Sequence, residues 1–266
     1  METETTVALV TGGTSGIGLE TAKALRSRGC RVYAMSRRPG GDESIPHIAA
    51  DVTDEAAVKA AVDEIVKNEG KLDLLVCCAG MGISGAIEFT AIEDAKHQLD
   101  VNFFGVVNAV KAALPHMRAR RGGTIVAVSS LAAPVPIPFQ AFYTASKAAI
   151  NGYICALANE VRPFGIRVTA AQPGDIRTGF TAARKKSEAG DDAYGGRIAR
   201  GVAKMEHDEE NGMSAEKAGG IIAKIALKKR VKPLYAVGIS AKFLYLLAKL
   251  VPVSFLNRVV YGMYAK

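Results

Sequence analysis

The sequence predicts an α/β protein with a doubly wound parallel sheet of about seven strands, helices on both faces. Three observations carry this. Short, wholly apolar runs alternate with helix-period segments from Val7 to about residue 238. The first run ends in a glycine-rich turn that opens into a helix. The 266 residues, 49% of them apolar, suit one such domain and show no repeat, low-complexity segment or linker.

Each element follows from local pattern. Val7 to Val10 is an apolar run suited to a strand buried on both faces, ending in Thr11-Gly12-Gly13. Ile17 to Arg28 has helical spacing, with Gly29 as its C-cap. Arg31 to Met35 and His47 to Ala50 are the second and third strands. Asp54 caps a helix from Glu55 to Asn68, with Gly70 after it. Leu72 to Cys77 is a fourth strand, and Ile92 to Arg121 is mostly helical. Gly123 to Ser129 is a fifth strand, Ala141 to Pro163 an alanine-rich helix, and Ile166 to Ala171 a sixth strand. Thr181 to Asn211 is polar and has no clean period. Ser214 to Lys228 is helical and Leu234 to Val237 is the last strand. Residues 1–240 therefore read as one domain, followed by a basic, apolar extension over 241–266.

Charge placement excludes one class of function. The net charge is +8, yet nine basic and no acidic residues lie from Ala218 to Lys266. The first 217 residues hold 25 basic and 26 acidic side chains, so the excess belongs to one end. That distribution, with no aromatic stacking platform, argues against nucleic-acid binding. Cys30, Cys77, Cys78 and Cys155 show no metal or redox spacing and read as thiols in a reducing, cytoplasmic setting, with no metal site. METETT lacks the features of a signal peptide, and Lys249, Pro252 and Arg258 interrupt the most apolar stretch.

Two constellations point to chemistry. Gly12, Thr14, Ser15, Gly16, Ile17 and Gly18 form a strand-to-helix turn whose free N–H groups and helix dipole suit a dinucleotide pyrophosphate. After the second strand, where a carboxylate would bind a ribose 2′-hydroxyl, stand Ser36, Arg37 and Arg38. Arginines there suit a 2′-phosphate, so NADP(H) is the expected cofactor. Tyr143 and Lys147, four apart, share a helix face. A nearby ammonium lowers a phenol's pKa toward neutrality. Ser130 ends the fifth strand 13 residues before Tyr143, where open α/β sheets place ligands.

With Asp51-Val52, Ala79-Gly80, Asn102, Pro173-Gly174 and Thr178 in matching order, the chain from Val7 to Gly238 resembles the short-chain dehydrogenase/reductase family, of Rossmann type. The resemblance implies roles. Tyr143 would be the general acid or base, and Ser130 would hydrogen-bond the substrate oxygen. Lys147 would bind the nicotinamide ribose and tune Tyr143, and Asn102 would hold a relay water. Asp51 and Val52 would contact adenine, and Pro173, Gly174, Ile176 and Thr178 would meet the nicotinamide. Cys77-Cys78 replaces the family's usual Asn-Asn, which removes side-chain bonds but leaves the backbone of Cys78 free to touch the adenosine.

The substrate is expected under a lid spanning about 180–211, walled by Pro134 to Phe139. A lipophilic ketone or secondary alcohol fits, steroid-like first, with a 3-oxoacyl-carrier-protein or other lipid-ketone reductase as the rival and a non-catalytic NADPH sensor as the alternative of another class. The extension suits a peripheral membrane contact, a cap on the site or a subunit contact. Ala145, Ala148, Ala149 and Gly152 would let helices approach closely in a homodimer or homotetramer.

Overall fold

The computed structural model describes residues 5–266. Its strands are β1 (Val7–Thr11), β2 (Arg31–Ser36), β3 (His47–Ala49), β4 (Leu74–Cys77), β5 (Gly123–Val128), β6 (Ile166–Pro173) and β7 (Leu234–Val237). All pair in parallel, in the spatial order β3-β2-β1-β4-β5-β6-β7. The chain winds outward from β1 in one direction, then crosses to β4 and winds the other way. That reversal opens a crevice at the carboxyl ends of β1 and β4.

The helices are α1 (Gly16–Arg26), α2 (Glu55–Glu69), α3 (Ile92–Leu99), α4 (Gly105–Ala119), α5 (Ala141–Glu160), α6 (Arg197–Glu210), α7 (Ala215–Ala226), α8 (Ile239–Leu250) and α9 (Val253–Tyr264). Successive strand residues point to opposite faces, and the core divides accordingly. Val7 and Leu9 pack with Val58 and Ile65 of α2, Val110 of α4, and Ile150 and Ile154 of α5. Ala8 and Val10 pack with Ala22 and Leu25 of α1 and Ile222 and Ala223 of α7. Each large aliphatic side chain so buried contributes roughly 1.5–3 kcal/mol.

Four details differ from the sequence expectation. The helix expected over Ile92 to Arg121 is two helices joined by a π turn at Asp100–Phe104. α5 stops at Glu160, and Pro163 lies instead in a 3-10 turn over Arg162–Phe164, since a proline has no N–H to continue the α-helical bonding. β6 runs on to Pro173 because β7 pairs with it to that point.

Fourthly, the segment 180–211, which shows no clean period in the sequence, holds two helices. It begins with a short helix, Phe180–Ala183, and ends with α6. Two small parallel ladders stitch it down: Ile83–Ser84 to Lys185–Lys186, and Ile176–Arg177 to Met213–Ser214. Ile198, Val202 and Met205 of α6 are spaced four and three apart and form a separate cluster with Phe139, Tyr194 and Tyr264. Only three apolar residues carry that period, so the surrounding charges mask it in the sequence.

The extension folds as α8 and α9 around Val251 and Pro252. It is anchored from within. Ala241, Leu256 and Val260 are buried, and the Tyr264 hydroxyl donates to Asp208 of α6 at 3.1 Å. Its outer side leaves Ile239, Phe243, Leu246, Leu250, Val253 and Phe255 exposed.

Candidate active site

The glycine turn starts where β1 ends. Gly12 has φ +64°, a left-handed value, and a Cβ there would lie 2.8 Å from Ala79 N. A Cβ on Gly18 would lie 2.2 Å from Gly12 O, so both positions need glycine for the turn to close. Ser15 occupies the N-cap of α1 without a side-chain cap bond, so the first-turn N–H groups of Gly16, Ile17 and Gly18 keep no side-chain acceptor. This cradle fits an anion, and the pyrophosphate of a dinucleotide is the group it would hold.

The cofactor-side residues converge on the same edge. The Thr14 hydroxyl donates to Ser36 Oγ at 3.0 Å, and Ser36 donates to Arg38 O at 2.6 Å. Arg37 and Arg38 are exposed at the end of β2. Arg37 faces Asp51. Burial pushes the Asp51 carboxyl up, but bonds from Thr53 and the charges of Arg37 and His97 more than offset this and hold it below its ordinary value. Val52 is buried beside Gly105, and its carbonyl accepts from Asn108 Nδ2 at 2.9 Å. Cys78 N donates to Thr11 O, and Ala79 N to Thr11 Oγ1, which lays the Cys78-Ala79-Gly80 loop across the glycine turn. Burial pushes the Cys78 thiol up to about 12, so it stays protonated and inert. From the far side, Thr178 comes over Gly16, where a Cβ would lie 3.7 Å from Thr178 Cβ. Pro173 O accepts from Leu131 N at 2.8 Å, Gly174 packs on Ala241, and Ile176 is buried.

Ser130, Tyr143, Lys147 and Asn102 meet beside this edge. Lys147 is buried and its Nζ donates to Val128 O at 2.9 Å. Nζ lies 5.6 Å from the Tyr143 ring centroid. Burial lowers the Lys147 pKa to about 8, with a small opposing effect of Cys78. The Tyr143 phenol is pushed up to about 12, chiefly by burial. A hydrogen bond with Ser130 and the charge of Arg184 pull it down, while Glu209 and Asp175 push it up. The expected lowering of this phenol is offset, because desolvation by burial outweighs the charges around it.

Asn102 sits in the π turn and is wholly buried. Its Oδ1 accepts from Met81 N at 2.8 Å, and its Nδ2 donates to Met81 O and Ser146 Oγ, each at 3.0 Å. Ser146 in turn donates to Tyr143 O at 2.7 Å. Both amide protons are thus engaged, and the side chain fixes the Met81 loop to the helix of Tyr143.

The sequence reading placed Phe180 at the start of the lid, but missed Ser146 and, above the site, Arg184 and Glu209. The Phe180 ring lies 5.8 Å from that of Tyr143. Ser146 lies inside the Tyr143–Lys147 span and could have been found from the helix face. Glu209 could not, since only the fold of α6 brings it near.

Comparison with known proteins shows the family and the fold. Residues 6–189 match the family model described as short chain dehydrogenase. A 3-ketodihydrosphingosine reductase of Bacteroides thetaiotaomicron is 42% identical over 226 residues, 84% of each chain. The crystal structure of a short-chain dehydrogenase from Streptomyces avermitilis superposes with a TM-score of 0.84 at 27% identity, covering 98% of this chain and 99% of that one. A structure titled ElxO with NADP bound has a TM-score of 0.74 at 25% identity, covering 88% of this chain and 97% of the other.

Proposed function

Because the chain belongs to the short-chain dehydrogenase family, we propose that it is an NADPH-dependent reductase of a long-chain lipid ketone, working reversibly on the matching secondary alcohol. It is an oxidoreductase that uses a nicotinamide cofactor. The observation that carries the finer reading is the pairing of two features. Arginines without a carboxylate follow β2, and an apolar lid residue, Phe180, faces Tyr143. The resemblance to the Bacteroides thetaiotaomicron enzyme favours a long-chain ketone over the steroid-like substrate first expected.

When bound, the nicotinamide supplies a hydride to the carbonyl carbon. The protein's own groups do the rest. Tyr143, protonated throughout the neutral range, donates its phenolic proton to the carbonyl oxygen. Ser130, already bonded to that phenol, donates to the same oxygen as charge develops on it. Lys147 holds positive charge beside the phenolate that forms and favours its appearance. Asn102 and Ser146 keep the helix of Tyr143 in register with the Met81 loop. Phe180 closes over the pair and excludes water.

The extension supports a second part of the proposal, a peripheral seat on an anionic membrane face for a cytoplasmic enzyme. The exposed apolar side of α8 and α9 carries Lys242, Lys249 and Arg258 and no acidic residue. Among the described residues no helix is long and apolar enough to cross a membrane.

The test is a panel of long-chain, steroid and sugar ketones with NADPH, read by loss of its absorbance. Long-chain ketones should turn over fastest. Tyr143→Phe should keep NADPH affinity within about twofold and lower kcat by about 10²-fold or more. Retained turnover in that variant would remove Tyr143 from the acid role, and no turnover of any ketone would remove the reductase reading.

A further inference from the structure

His47 opens β3, and its Nε2 lies 3.0 Å from Ser36 Oγ and 3.2 Å from Ser36 O. Ser36 closes β2 and is the residue from which Arg37 and Arg38 follow. Its hydroxyl has one proton, and that proton goes to Arg38 O at 2.6 Å. Ser36 Oγ therefore accepts from its other two neighbours, Thr14 Oγ1 at 3.0 Å and His47 Nε2. Ser36 O is a carbonyl and can only accept. Both contacts thus place a proton on His47 Nε2, which makes the ring a donor toward Ser36.

These bonds hold one small turn from separate parts of the fold. The Ser36 to Arg38 bond folds the chain back at the end of β2. Thr14 grips the same hydroxyl from the glycine turn, and His47 grips it from β3. Beyond Arg38 comes Pro39-Gly40-Gly41, where the glycines take φ of +153° and +87°, and no helix or strand braces the turn from that side. Strand pairing does not call for the histidine. β3 already pairs with β2 from Ala34 to Ser36, and Ala50 N donates to Ser36 O at 3.1 Å. The ring's bonds go to the one residue where the strand ends and the arginine turn begins.

Resting on the NADPH preference proposed above, we infer that His47 is a positioning residue for recognition of the cofactor's 2′-phosphate, acting through Ser36. It holds Ser36 so that Arg37 and Arg38, both exposed, start from a fixed backbone. A long side chain loses freedom when it binds an anion, and a backbone that is already ordered lowers the cost of binding. The 2′-hydroxyl of NADH makes no such demand on the arginines. His47 therefore bears on NADPH and not on NADH, although it lies in a different strand from the residues that carry the charge.

The test is fluorescence titration of the full-length protein with NADPH and with NADH, without substrate. The unaltered protein should bind NADPH about tenfold or more tighter. His47→Leu removes the donor, and His47→Asn leaves an amide too short to reach Ser36. Each should weaken NADPH by about three- to tenfold, the loss expected for one hydrogen bond, and NADH by less than about twofold. His47 is half-buried on the edge strand of the sheet, so the Asn variant decides if the Leu variant does not fold. His47→Gln puts an amide N–H near the place of Nε2 and should restore most of the NADPH affinity. Combined with Arg37→Ala, His47→Leu should cost less than it does alone, since both act through one turn. Equal weakening of NADPH and NADH would make the histidine structural only and overturn the inference. So would an unchanged NADPH/NADH ratio in the variants, a folded Gln variant as weak as Leu, or full additivity with Arg37→Ala. In each of those cases the preference of the unaltered protein still stands. Equal binding of the two cofactors by the unaltered protein would instead refute the NADPH preference, and the inference with it.

Discussion

Lys147 and Tyr143 titrate far apart, near 8 and 12, because burial disfavours the charged form of each. The lysine therefore loses its proton first as pH rises, while the phenol keeps its own. In the reductive direction kcat/KM, which reports the free enzyme, should fall above about pH 8 as the ammonium beside Tyr143 disappears. A profile flat to pH 10 would show that the lysine charge has no part in the step. At the other end of the crevice, Arg37 stands exposed, close enough to influence Asp51. Arg37→Ala should weaken NADPH by about tenfold or more and NADH by less than about twofold, in line with the loss of one charge-assisted contact to a phosphate. Equal losses for the two cofactors, measured by fluorescence titration, would refute the proposed preference.

Among the elements, the helix pair α8–α9 has two unlike sides. Ala241, Leu256 and Val260 face inward, whereas Phe243, Leu246 and Leu250 are exposed on one side of α8. Removing the whole extension would strip Tyr264 from the cluster under α6 and disturb the lid. Charge placed only on the outer side gives a cleaner test of the membrane seat. The triple variant Phe243→Glu, Leu246→Glu, Leu250→Glu should keep the thermal midpoint within a few degrees. It should also lose about tenfold or more of its co-sedimentation with anionic vesicles at low salt. Unaltered protein that stays in the supernatant under those conditions would end the membrane reading.

For the whole molecule, the alternation of apolar runs with helical spacing was enough to read the sheet, since every central strand is buried and lies between helices. The motif residues were legible because they follow strand ends, and the parallel order brings those ends to one edge. Two things were not legible. The π turn at Asp100–Phe104 adds one residue to a helical turn without any Pro or Gly inside it to mark the break in the sequence. The lid's contacts, Arg184 to Glu209 above all, join positions 25 apart through the folded path of 185–196. Assembly is the remaining property of this scale. Ala145, Ala148 and Gly152 are exposed on α5, and Phe104 beside α4 is 49% exposed. We propose that this surface pairs two copies. Sedimentation should give a dimer or larger species, and Gly152→Arg should shift it toward monomer, while a monomeric unaltered protein would refute the pairing.

The hydrogen bond from Tyr264 to Asp208 has one more consequence. It ties the last turn of the extension to the helix that carries Glu209, and Glu209 in turn pairs with Arg184, beside the Phe180 ring. Two ligands that both bias this linkage are thermodynamically coupled. By reciprocity, whatever factor a lipid surface imposes on substrate affinity, substrate must impose on affinity for that surface. With the proposed membrane seat, such wiring would make the protein grip a bilayer differently when loaded than when empty.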